Sequence, residues 1–389
     1  MIPGELAVAA CAWSGRFDMA DPDAAFTGAF AGYVGSAHAI PVSSGRRGLE
    51  CILKGLGLGA GDEVIIPAYT LKDLAVRIYA LGMKPVFADI DPDTFTMSPD
   101  AVERKITGRT KAVLATHMFG APCHIDRIAA VARARGIAVI EDCAHALGAD
   151  FGGRKLGSFG DAGFFSFETI KPLNLYGGGM IVTDDHRLAD AIRKRITSGG
   201  GARCVPVKKI VSAYMERWFL PTPLSAAVLG PLSLRRFHRM MYGMYRLSQQ
   251  CARSSSSGFT PFRSYLGLVK LKTLDARIAA RRETAGLLCS LLREPVRPQK
   301  ITEGGRSNYY FFVVRVPGRV WQARRHLLVH GIDAGICQEI ADDCAAEFRD
   351  ASCPVTTGLY GCSLQLPLHE AMTEAQVRHI ARTLNGFYS

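Results

Sequence analysis

The chain has 389 residues, of which 48% are hydrophobic and 21% charged, and its formal net charge is +12. This composition is ordinary for a soluble globular protein, and the length suffices for one large and one smaller domain. Its eleven cysteines form no CxxC pair, which argues against a disulfide framework and a zinc site, and we predict no metal site. The first thirty residues lack a basic start followed by an apolar run, so we expect a cytoplasmic protein without a signal peptide.

Predicted strands and helices alternate along the first half of the chain. Helix-like stretches with apolar residues three and four apart, such as residues 124–136, separate short β-rich runs. This alternation predicts an α/β fold with a mostly parallel central sheet and helices on both faces. The predicted strands are, in chain order, HAIPVS, DEVIIPAY, KPVFADI, TKAVLATH, IAVIED, GFFSF and GGMIVTDD, and the pattern continues to about residue 198.

Residues 199–260 break the alternation and are bounded by glycine- and serine-rich text, so we predict an insertion there. Helical text resumes at LGLVKLKTLDARIAARRETAGLL. The last hundred residues predict a smaller α+β unit, with a strand in SNYYFFVVRV, a helix over 319–330, a strand near CSLQLPL and a closing helix after Thr373. We therefore divide the chain into a large domain, residues 1–285, and a small C-terminal domain, residues 286–389.

Most of the net charge lies in residues 203–253, which contain nine lysines and arginines against the single acid Glu216, a local net charge of +8. Within this segment the stretch from Trp218 to Leu234 is uncharged, and its three prolines and short length argue against a membrane-spanning helix. An apolar stretch with flanking arginines is typical of a peripheral, interfacial membrane contact. A hydrophobic arm that packs on the partner subunit explains it equally well, and both alternatives stay open.

Lys171 lies in the nearly uncharged stretch FSFETIKPLNLYGGG, although lysine is costly to bury and usually extends its amine into water. Upstream, VIEDCAHA carries Asp142 and His145 just after a strand, and Ser166 precedes the lysine by five residues. The text PVSSGRRGLE predicts a strand, a glycine turn and a helix start, which offers backbone N–H groups to an anion. Together these features match pyridoxal phosphate, which needs an amine for its aldehyde, a carboxylate for its ring nitrogen and a helix start with a hydroxyl for its phosphate.

Four longer stretches carry a resemblance to a known family. They are SSGRRGLECILKGLGLGAGDEVIIPAYT, GMKPVFADIDPDTFTMSPDAVERKITGRTKAVLATHMFGAP, AVIEDCAHALGADFGGRKLGSFGDAGFFSFETIKPLNLYGGGMIVTDD and LGLVKLKTLDARIAARR. With them the chain resembles, over nearly its whole length, the DegT/DnrJ/StrS family of pyridoxal phosphate-dependent sugar aminotransferases. The resemblance implies the fold type I architecture, with the large domain binding the cofactor and a smaller C-terminal α+β domain.

The resemblance also implies roles for individual residues. Lys171 binds the cofactor aldehyde covalently, and Asp142 pairs with the pyridine nitrogen and keeps it protonated. His145 lies near the ring hydroxyl, while Ser166 and the turn at Gly45 hold the phosphate. A lysine at position 171 favours transamination over the dehydration that relatives with a histidine there catalyse.

The chain also departs from the family pattern at three places. Arg46 and Arg47 follow the glycine turn where a threonine is usual, and their guanidinium groups are predicted to hold the cofactor phosphate or an anionic part of the substrate. Leu71 stands where relatives often stack an aromatic residue on the cofactor ring, and Tyr69 is the nearest candidate substitute. Arg263 is the candidate for an arginine that relatives commonly carry on a partner-subunit loop.

These observations predict a homodimeric aminotransferase that moves an amino group from an amino acid, probably glutamate on family grounds, to a keto group of a nucleotide-linked sugar or related polar anionic substrate. The basic segment suits an anionic acceptor, and no nucleic acid partner is expected. One alternative is an enzyme at the membrane surface that makes an amino-modified lipid or lipid-linked sugar. A second alternative is a regulatory protein that binds pyridoxal phosphate without turnover, because a fold does not determine a function.

Overall fold

The computed structural model describes residues 19–196, 210, 259–336, 339 and 341–389. Ten strands lie within residues 19–196: β1 (His38–Val42), β2 (Glu63–Pro67), β3 (Tyr69–Thr70), β4 (Lys84–Ala88), β5 (Thr110–Thr116), β6 (Ala138–Asp142), β7 (Asp150–Phe151), β8 (Arg154–Lys155), β9 (Ala162–Ser166) and β10 (Gly179–Thr183). Six lie in the described residues from 259 onward: β11 (Arg297–Pro298), β12 (Gly305–Arg306), β13 (Phe312–Arg315), β14 (Gly335–Ile336), β15 (Asp342–Asp343) and β16 (Ser363–Leu366).

The α-helices of the described ranges divide in the same way. The first six are α1 (Pro22–Val34), α2 (Gly45–Gly55), α3 (Lys72–Ala80), α4 (Pro99–Lys105), α5 (Ile125–Arg133) and α6 (His186–Arg193). The later ones are α7 (Pro261–Leu271), α8 (Leu274–Leu291), α9 (Val320–Val329), α10 (Cys344–Glu347), α11 (Pro354–Tyr360) and α12 (Glu374–Tyr388).

A seven-stranded sheet with the order β1-β10-β9-β6-β5-β2-β4 forms the centre of the larger unit. The pairs β9/β6, β6/β5, β5/β2 and β2/β4 are parallel, whereas β10 runs antiparallel to both of its neighbours. All seven strands coincide with the predicted runs, and the mostly parallel α/β fold is confirmed. The crossover helices explain why β2 and β10 are buried at every residue.

Side chains that alternate along the strands enter two hydrophobic layers, one on each face of the sheet. On β5, Val113 and Ala115 pack in one layer with Phe30, while Ala112 and Leu114 pack in the other layer. This division follows from the two-residue period of a strand, which sends successive side chains to opposite faces. Polar residues of the predicted site, such as Asp142 and Ser166, therefore lie at the ends of the strands, where the chain leaves the sheet.

The C-terminal unit is built on a four-stranded antiparallel sheet with the order β11-β13-β16-β14, and the strands and helices predicted there are present. Helix α8 joins it to the larger unit. Leu274, near the start of this helix, belongs to a hydrophobic layer of the large sheet, whereas Leu288 belongs to the core of the C-terminal unit. The predicted domain boundary at residue 285 falls within this helix, and the division into two domains stays a prediction.

One segment of the C-terminal third, residues 342–357, returns to the large sheet. Its strand β15 pairs with β3, and the Asp342 carboxylate accepts a hydrogen bond of 2.9 Å from the backbone N–H of Lys72 at the start of α3. The Asp89 carboxylate accepts hydrogen bonds from the backbone N–H groups of Val355 and Thr356, each 2.9 Å long. The C-terminal third is thus connected to the elements that follow β2 and β4.

The predicted insertion, residues 199–260, lies outside the described residues except for Ile210, Phe259 and Thr260, and its basic segment 203–253 does so except for Ile210. Its two explanations, a membrane contact and a subunit contact, stay predictions. In the described ranges, none of the helices combines the length and the apolar content that crossing a membrane requires.

Candidate active site

The carboxyl ends of β6 and β9 meet the start of α2 at one edge of the large sheet. Strand β9 ends at Ser166, and the first helical residue of α2 is Gly45, which is capped by the side chain of Ser44. A Cβ atom added to Gly45 would lie 3.2 Å from the Ser166 Cβ, and one added to Gly179 would lie 2.8 Å from the Gly45 nitrogen. These glycines permit a close approach of backbone, so that a helix N-terminus and a serine hydroxyl face the same small space.

Lys171 follows β9 in a turn in which its backbone N–H donates a hydrogen bond of 2.9 Å to the Glu168 carbonyl. The residue is half-buried, and its Nζ lies 4.7 Å from the ring centroid of Tyr310, a cation–π distance. Burial lowers the pKa of the Lys171 amine to about 8, although the Asp142 and Glu168 carboxylates act in the opposite direction. The amine is therefore far more available as a nucleophile and base at neutral pH than that of an ordinary lysine.

Asp142 is the last residue of β6 and is 6% exposed. Its Oδ1 accepts one hydrogen bond of 2.9 Å, from the backbone N–H of Ala144. Burial raises the pKa of the Asp142 carboxyl, and the hydrogen bond from Ala144 and the positive charge of Lys171 partly oppose this. The carboxylate thus accepts little from the protein itself and is suited to pair with a protonated ligand nitrogen.

His145 stacks between two aromatic rings beside the lysine. Its ring centroid lies 4.4 Å from that of Tyr310 at an interplanar angle of 20°, and it is nearly parallel to Phe119 at 6.4 Å. The Asn308 amide donates to the His145 carbonyl at 2.9 Å and fixes the backbone. Burial, together with Lys171, lowers the pKa of His145 well below its usual value, and its buried Nδ1 has no hydrogen-bond partner among the described residues. A neutral imidazole with an unsatisfied nitrogen is suited to a polar group of a ligand.

The two arginines after the glycine turn point in different directions. The Arg46 guanidinium pairs with Asp73 at 2.7 Å, and its charge contributes to lowering the pKa of Lys171. The Arg47 guanidinium instead pairs with Glu50 at 3.0 Å within its own helix and donates to the Arg195 carbonyl at 3.3 Å. Of the two, Arg46 has the electrostatic connection to the lysine, and for both arginines the contact with the cofactor phosphate or an anionic part of the substrate stays a prediction.

The remaining candidate residues are also placed by the structure. Tyr69 is 0% exposed and packs edge-to-face against Phe119 in an aromatic cluster, while Leu71, two residues later, is 39% exposed. The contact of Tyr69 with a cofactor ring stays a prediction. Arg263 lies in α7 and is 7% exposed, and burial lowers the pKa of its guanidinium against the opposing effect of Glu168.

A buried set of metal-binding residue types lies beside the site, namely His117, Glu141 and Cys143. The Glu141 carboxylate already accepts three backbone hydrogen bonds of 2.6–2.8 Å from residues 157, 159 and 160, and pairs with the His117 Nε2 at 3.0 Å. The His117 Nδ1 accepts from the backbone N–H of Cys123 at 3.2 Å. Since these lone pairs are occupied within the protein, the arrangement is a structural hydrogen-bond network.

Reasoning from the sequence brought together Lys171, Asp142, His145, Ser166 and Gly45, and the structure gathers these five at one edge of the sheet. It missed Tyr310 and Phe119, whose rings enclose His145. The run of aromatic residues in SNYYFFVVRV was visible but was interpreted as an ordinary strand. Only the three-dimensional structure, which places Tyr310 4.7 Å from the Lys171 Nζ, reveals this contact.

Comparisons with known proteins identify the family of this chain. The sequence pattern of the DegT/DnrJ/EryC1/StrS aminotransferase family matches residues 5–385. The chain is 33% identical over 312 residues to the L-glutamine:scyllo-inosose aminotransferase of Streptomyces griseus, a match that covers 80% of this chain and 65% of that protein, slightly less than two thirds of its length.

Solved structures show the same fold. The aminotransferase TlmJ of Streptoalloteichus hindustanus is similar with a TM-score of 0.76 and 26% identity, covering 100% of this chain and 98% of the other. The PMP-form of Spr1654, a putative sugar aminotransferase from Streptococcus pneumoniae, is similar in fold with a TM-score of 0.77 and 21% identity, covering 99% and 95%. The fold type I architecture is confirmed, and the chain belongs to the DegT/DnrJ/EryC1/StrS aminotransferase family.

Proposed function

We propose that this protein is an aminotransferase that moves an amino group from an amino acid to a keto group of a polyhydroxylated, sugar-like substrate. The observation that carries the proposal is the pair formed by Lys171, whose pKa is lowered to about 8 by burial, and the sparsely hydrogen-bonded Asp142 beside it. Perturbed titratable groups that meet at the end of parallel strands favour a catalytic site over a structural one.

Pyridoxal phosphate is the cofactor of this family, and the residues around Lys171 fit it. The N-terminus of α2 and the Ser166 hydroxyl suit a phosphate, because the first backbone N–H groups of a helix and a hydroxyl are hydrogen-bond donors for an anion, and the absence of a side chain at Gly45 allows Ser166 to approach the helix start. The buried, unpartnered Nδ1 of His145 suits the ring hydroxyl, and Asp142 suits the ring nitrogen. When bound, the cofactor accepts the amino group and withdraws electrons from the reacting carbon.

The chain's own groups then have distinct tasks. The Lys171 amine, with a pKa near 8, is able to take a proton from the substrate carbon at neutral pH and to return it at Nζ. The Asp142 carboxylate holds the proton on the ring nitrogen, since its single hydrogen bond from Ala144 leaves acceptor capacity free. Tyr310 packs on the His145 ring at 4.4 Å, with Phe119 nearly parallel at 6.4 Å, so these aromatic rings form an apolar surrounding for the neutral imidazole.

The identities of donor and acceptor are finer parts of the proposal. Glutamate and a nucleotide-linked keto sugar are the initial predictions, the second because residues 203–253 carry a net charge of +8. The Streptomyces griseus relative is named for glutamine and for scyllo-inosose, an uncharged cyclic ketone. Both donors and both kinds of acceptor therefore belong in the test.

The test is a pair of half-reactions followed by the cofactor absorbance spectrum. Glutamate or glutamine alone is expected to convert the bound cofactor to its amino form, and a keto acceptor is expected to restore the original spectrum. A panel of nucleotide-linked keto sugars and free cyclic polyol ketones then identifies the acceptor class. No spectral change with any amino acid would contradict the proposal and favour the regulatory alternative.

The membrane-surface alternative depends on residues 203–253, of which only Ile210 is described. Co-sedimentation with anionic and with neutral liposomes, at low and at high salt, separates it from the main proposal. Binding that requires anionic lipid and falls with salt would support it. Equal absence from every pellet would leave the segment as a predicted contact in a homodimer.

A further inference from the structure

The chain between β9 and β10, residues 167–178, forms a loop that carries Lys171, and we call it the lysine loop. Its two ends are joined by a hydrogen bond of 3.0 Å from the Phe167 N–H to the Gly178 carbonyl. The Phe167 carbonyl accepts a further hydrogen bond, also of 3.0 Å, from the Leu175 N–H. The part of the loop with Lys171 lies between these closing bonds, so its position depends on what else holds it.

Two carbonyl groups of the lysine loop, both after Lys171, accept hydrogen bonds from cationic side chains of neighbouring helices. The Nζ of Lys270, near the end of α7, donates to the Asn174 carbonyl at 2.7 Å. The Arg277 guanidinium, on α8, donates to the Pro172 carbonyl at 3.3 Å. A short hydrogen bond from an ionised donor is stronger than a long one. Of these two side chains, Lys270 therefore makes the stronger contact with the loop.

Lys270 is 4% exposed, although lysine is rarely buried without a specific partner. Its Nζ lies 5.5 Å from the ring centroid of Tyr176, a cation–π distance. Tyr176 has a left-handed backbone conformation with a φ of 59°, and the Asn174 Oδ1 accepts a hydrogen bond of 2.8 Å from its backbone N–H. One buried amine thus contacts both residues that shape the last turn of the lysine loop.

We propose that Lys270 is a positioning residue for amino transfer, which holds the lysine loop so that the Lys171 amine stays at the buried edge of the sheet. The inference rests on the proposed aminotransferase function and adds to it a residue that does not contact the reacting groups. Asn174 is three residues from Lys171, and Pro172 restricts the backbone between them, so a movement of the Asn174 carbonyl displaces the amine. A displacement of about 1 Å at a reacting group lowers a rate by up to roughly 100-fold.

Three variants separate the hydrogen bond from the charge and from general effects of substitution. Lys270→Met keeps an unbranched side chain but removes both the N–H donors and the charge. Lys270→Gln also removes the charge, yet it keeps N–H donors on a side chain that is one bond shorter. Lys272→Met is the matched control, because Lys272 is exposed and makes no hydrogen bond or ion pair within the described ranges.

The first experiment measures how firmly the lysine loop is held, by hydrogen exchange and mass spectrometry of the intact chain. The peptide that covers the loop should exchange roughly 10-fold faster in Lys270→Met, roughly threefold faster in Lys270→Gln and at the parent rate in Lys272→Met. Parent-like exchange in a folded Lys270→Met variant would overturn the proposal. If the melting temperature shows that Lys270→Met does not fold, parent-like exchange in Lys270→Gln would overturn it instead.

The second experiment locates the Lys171 amine by its titration in the cofactor-free protein. Its pKa of about 8 results chiefly from burial, and the charges that act on it belong to Asp142, Glu168 and Arg46. Since Lys270 is not among them, a change at Lys270 acts on this pKa by displacing the amine toward water. The acetylation midpoint should therefore rise by about one pH unit in Lys270→Met, less in Lys270→Gln and not at all in the control. An unchanged midpoint in Lys270→Met would contradict the inference.

Steady-state kinetics connect the lysine loop to the reaction. Lys270→Met should lower kcat roughly 10-fold and change the KM for donor and acceptor little, because the groups that bind the substrates stay in place, and Lys270→Gln should recover part of the loss. A folded Lys270→Met variant with the parent kcat would exclude a role in positioning. If no amino acid proves to be a donor, the proposed function fails, while hydrogen exchange and acetylation still test Lys270.

Discussion

Two adjacent carboxylates at the end of β6 lie in pockets of opposite design. We call the surroundings of Glu141, with His117 and the backbone of residues 157–160, the Glu141 pocket, and the group of Asp142, His145 and Lys171 the Asp142 pocket. Glu141 is 0% exposed and accepts three backbone hydrogen bonds as well as its contact with His117. Asp142 accepts one, from Ala144.

The difference follows from the two-residue period of the strand, which sends neighbouring side chains to opposite faces. A carboxylate that is saturated inside the protein stabilises the fold, and its lone pairs are unavailable to a ligand. A carboxylate that is buried but left with one hydrogen bond carries a raised pKa and is ready for a charged partner. The number of hydrogen bonds accepted, rather than burial, distinguishes Glu141 from Asp142, to which we assign the contact with the cofactor.

Removal of the amine should have the largest effect on the Asp142 pocket. Lys171→Ala is expected to abolish amino transfer, because no other group in the pocket is able to bond the cofactor aldehyde and move the proton. Borohydride treatment of the parent should attach the cofactor covalently to a peptide containing Lys171, and the variant should bind it reversibly. Full activity of Lys171→Ala would exclude the assignment of the site.

Substitution of Asp142 should have the second-largest effect on amino transfer. Asp142→Asn is expected to lower the rate of amino transfer about 100- to 1,000-fold, because a neutral amide does not stabilise a protonated ring nitrogen. Its melting temperature should stay close to that of the parent, since one hydrogen bond from Ala144 is involved. Parent-like turnover in this variant would make Asp142 a structural cap and would erase the contrast between the pockets.

Substitution of Glu141 should lower the stability of the protein rather than its activity. In Glu141→Gln the amide nitrogen would face backbone N–H donors, so we expect a loss of about 1–3 kcal/mol in the free energy of unfolding. Urea denaturation measures this loss, and the activity per folded molecule should remain near that of the parent. A variant with unchanged stability and lost turnover would reverse the roles of the two acids.

The smallest effect concerns the titration of Lys171 in the cofactor-free protein. Because burial lowers its pKa to about 8, the amine is protonated and unreactive below that pH, and its acetylation rate should rise through pH 8 to a plateau. An ordinary lysine titrates near 10.4. Competitive labelling with peptide mass spectrometry measures the midpoint, which should fall below 8 in Asp142→Asn, since that carboxylate raises the lysine pKa. Glu141→Gln should leave the midpoint of the Lys171 titration unchanged. A shifted midpoint in this variant would show that the Glu141 pocket influences the Asp142 pocket electrostatically.

Much of this organisation is readable from the sequence. The seven strands of the large sheet follow from short apolar runs separated by helical periodicity, and residues 165–179 with the two acids at the end of β6 predict the cofactor site. Local sequence determines where a strand ends. Once the strand is predicted correctly, the position of a motif at its end is therefore also predicted correctly.

Contacts between distant parts of the chain were beyond such reasoning. The sequence shows Arg46 and Arg47 as equivalent, and only the partners Asp73 and Glu50 separate them. Tyr310 reaches Lys171, and Glu370 reaches α8, because the C-terminal unit folds back onto the large sheet. No local pattern encodes those distances.

The hydrogen bond from the Lys72 backbone to Asp342 has a consequence for synthesis of the chain. Its two residues are 270 positions apart, so the first turn of α3 has no cap from Asp342 until residue 342 has left the ribosome. Asp73 in that same turn holds Arg46. A nascent chain is therefore able to form much of its large sheet early, whereas the start of α3 gains this cap only after the 270 residues that follow Lys72 have been made.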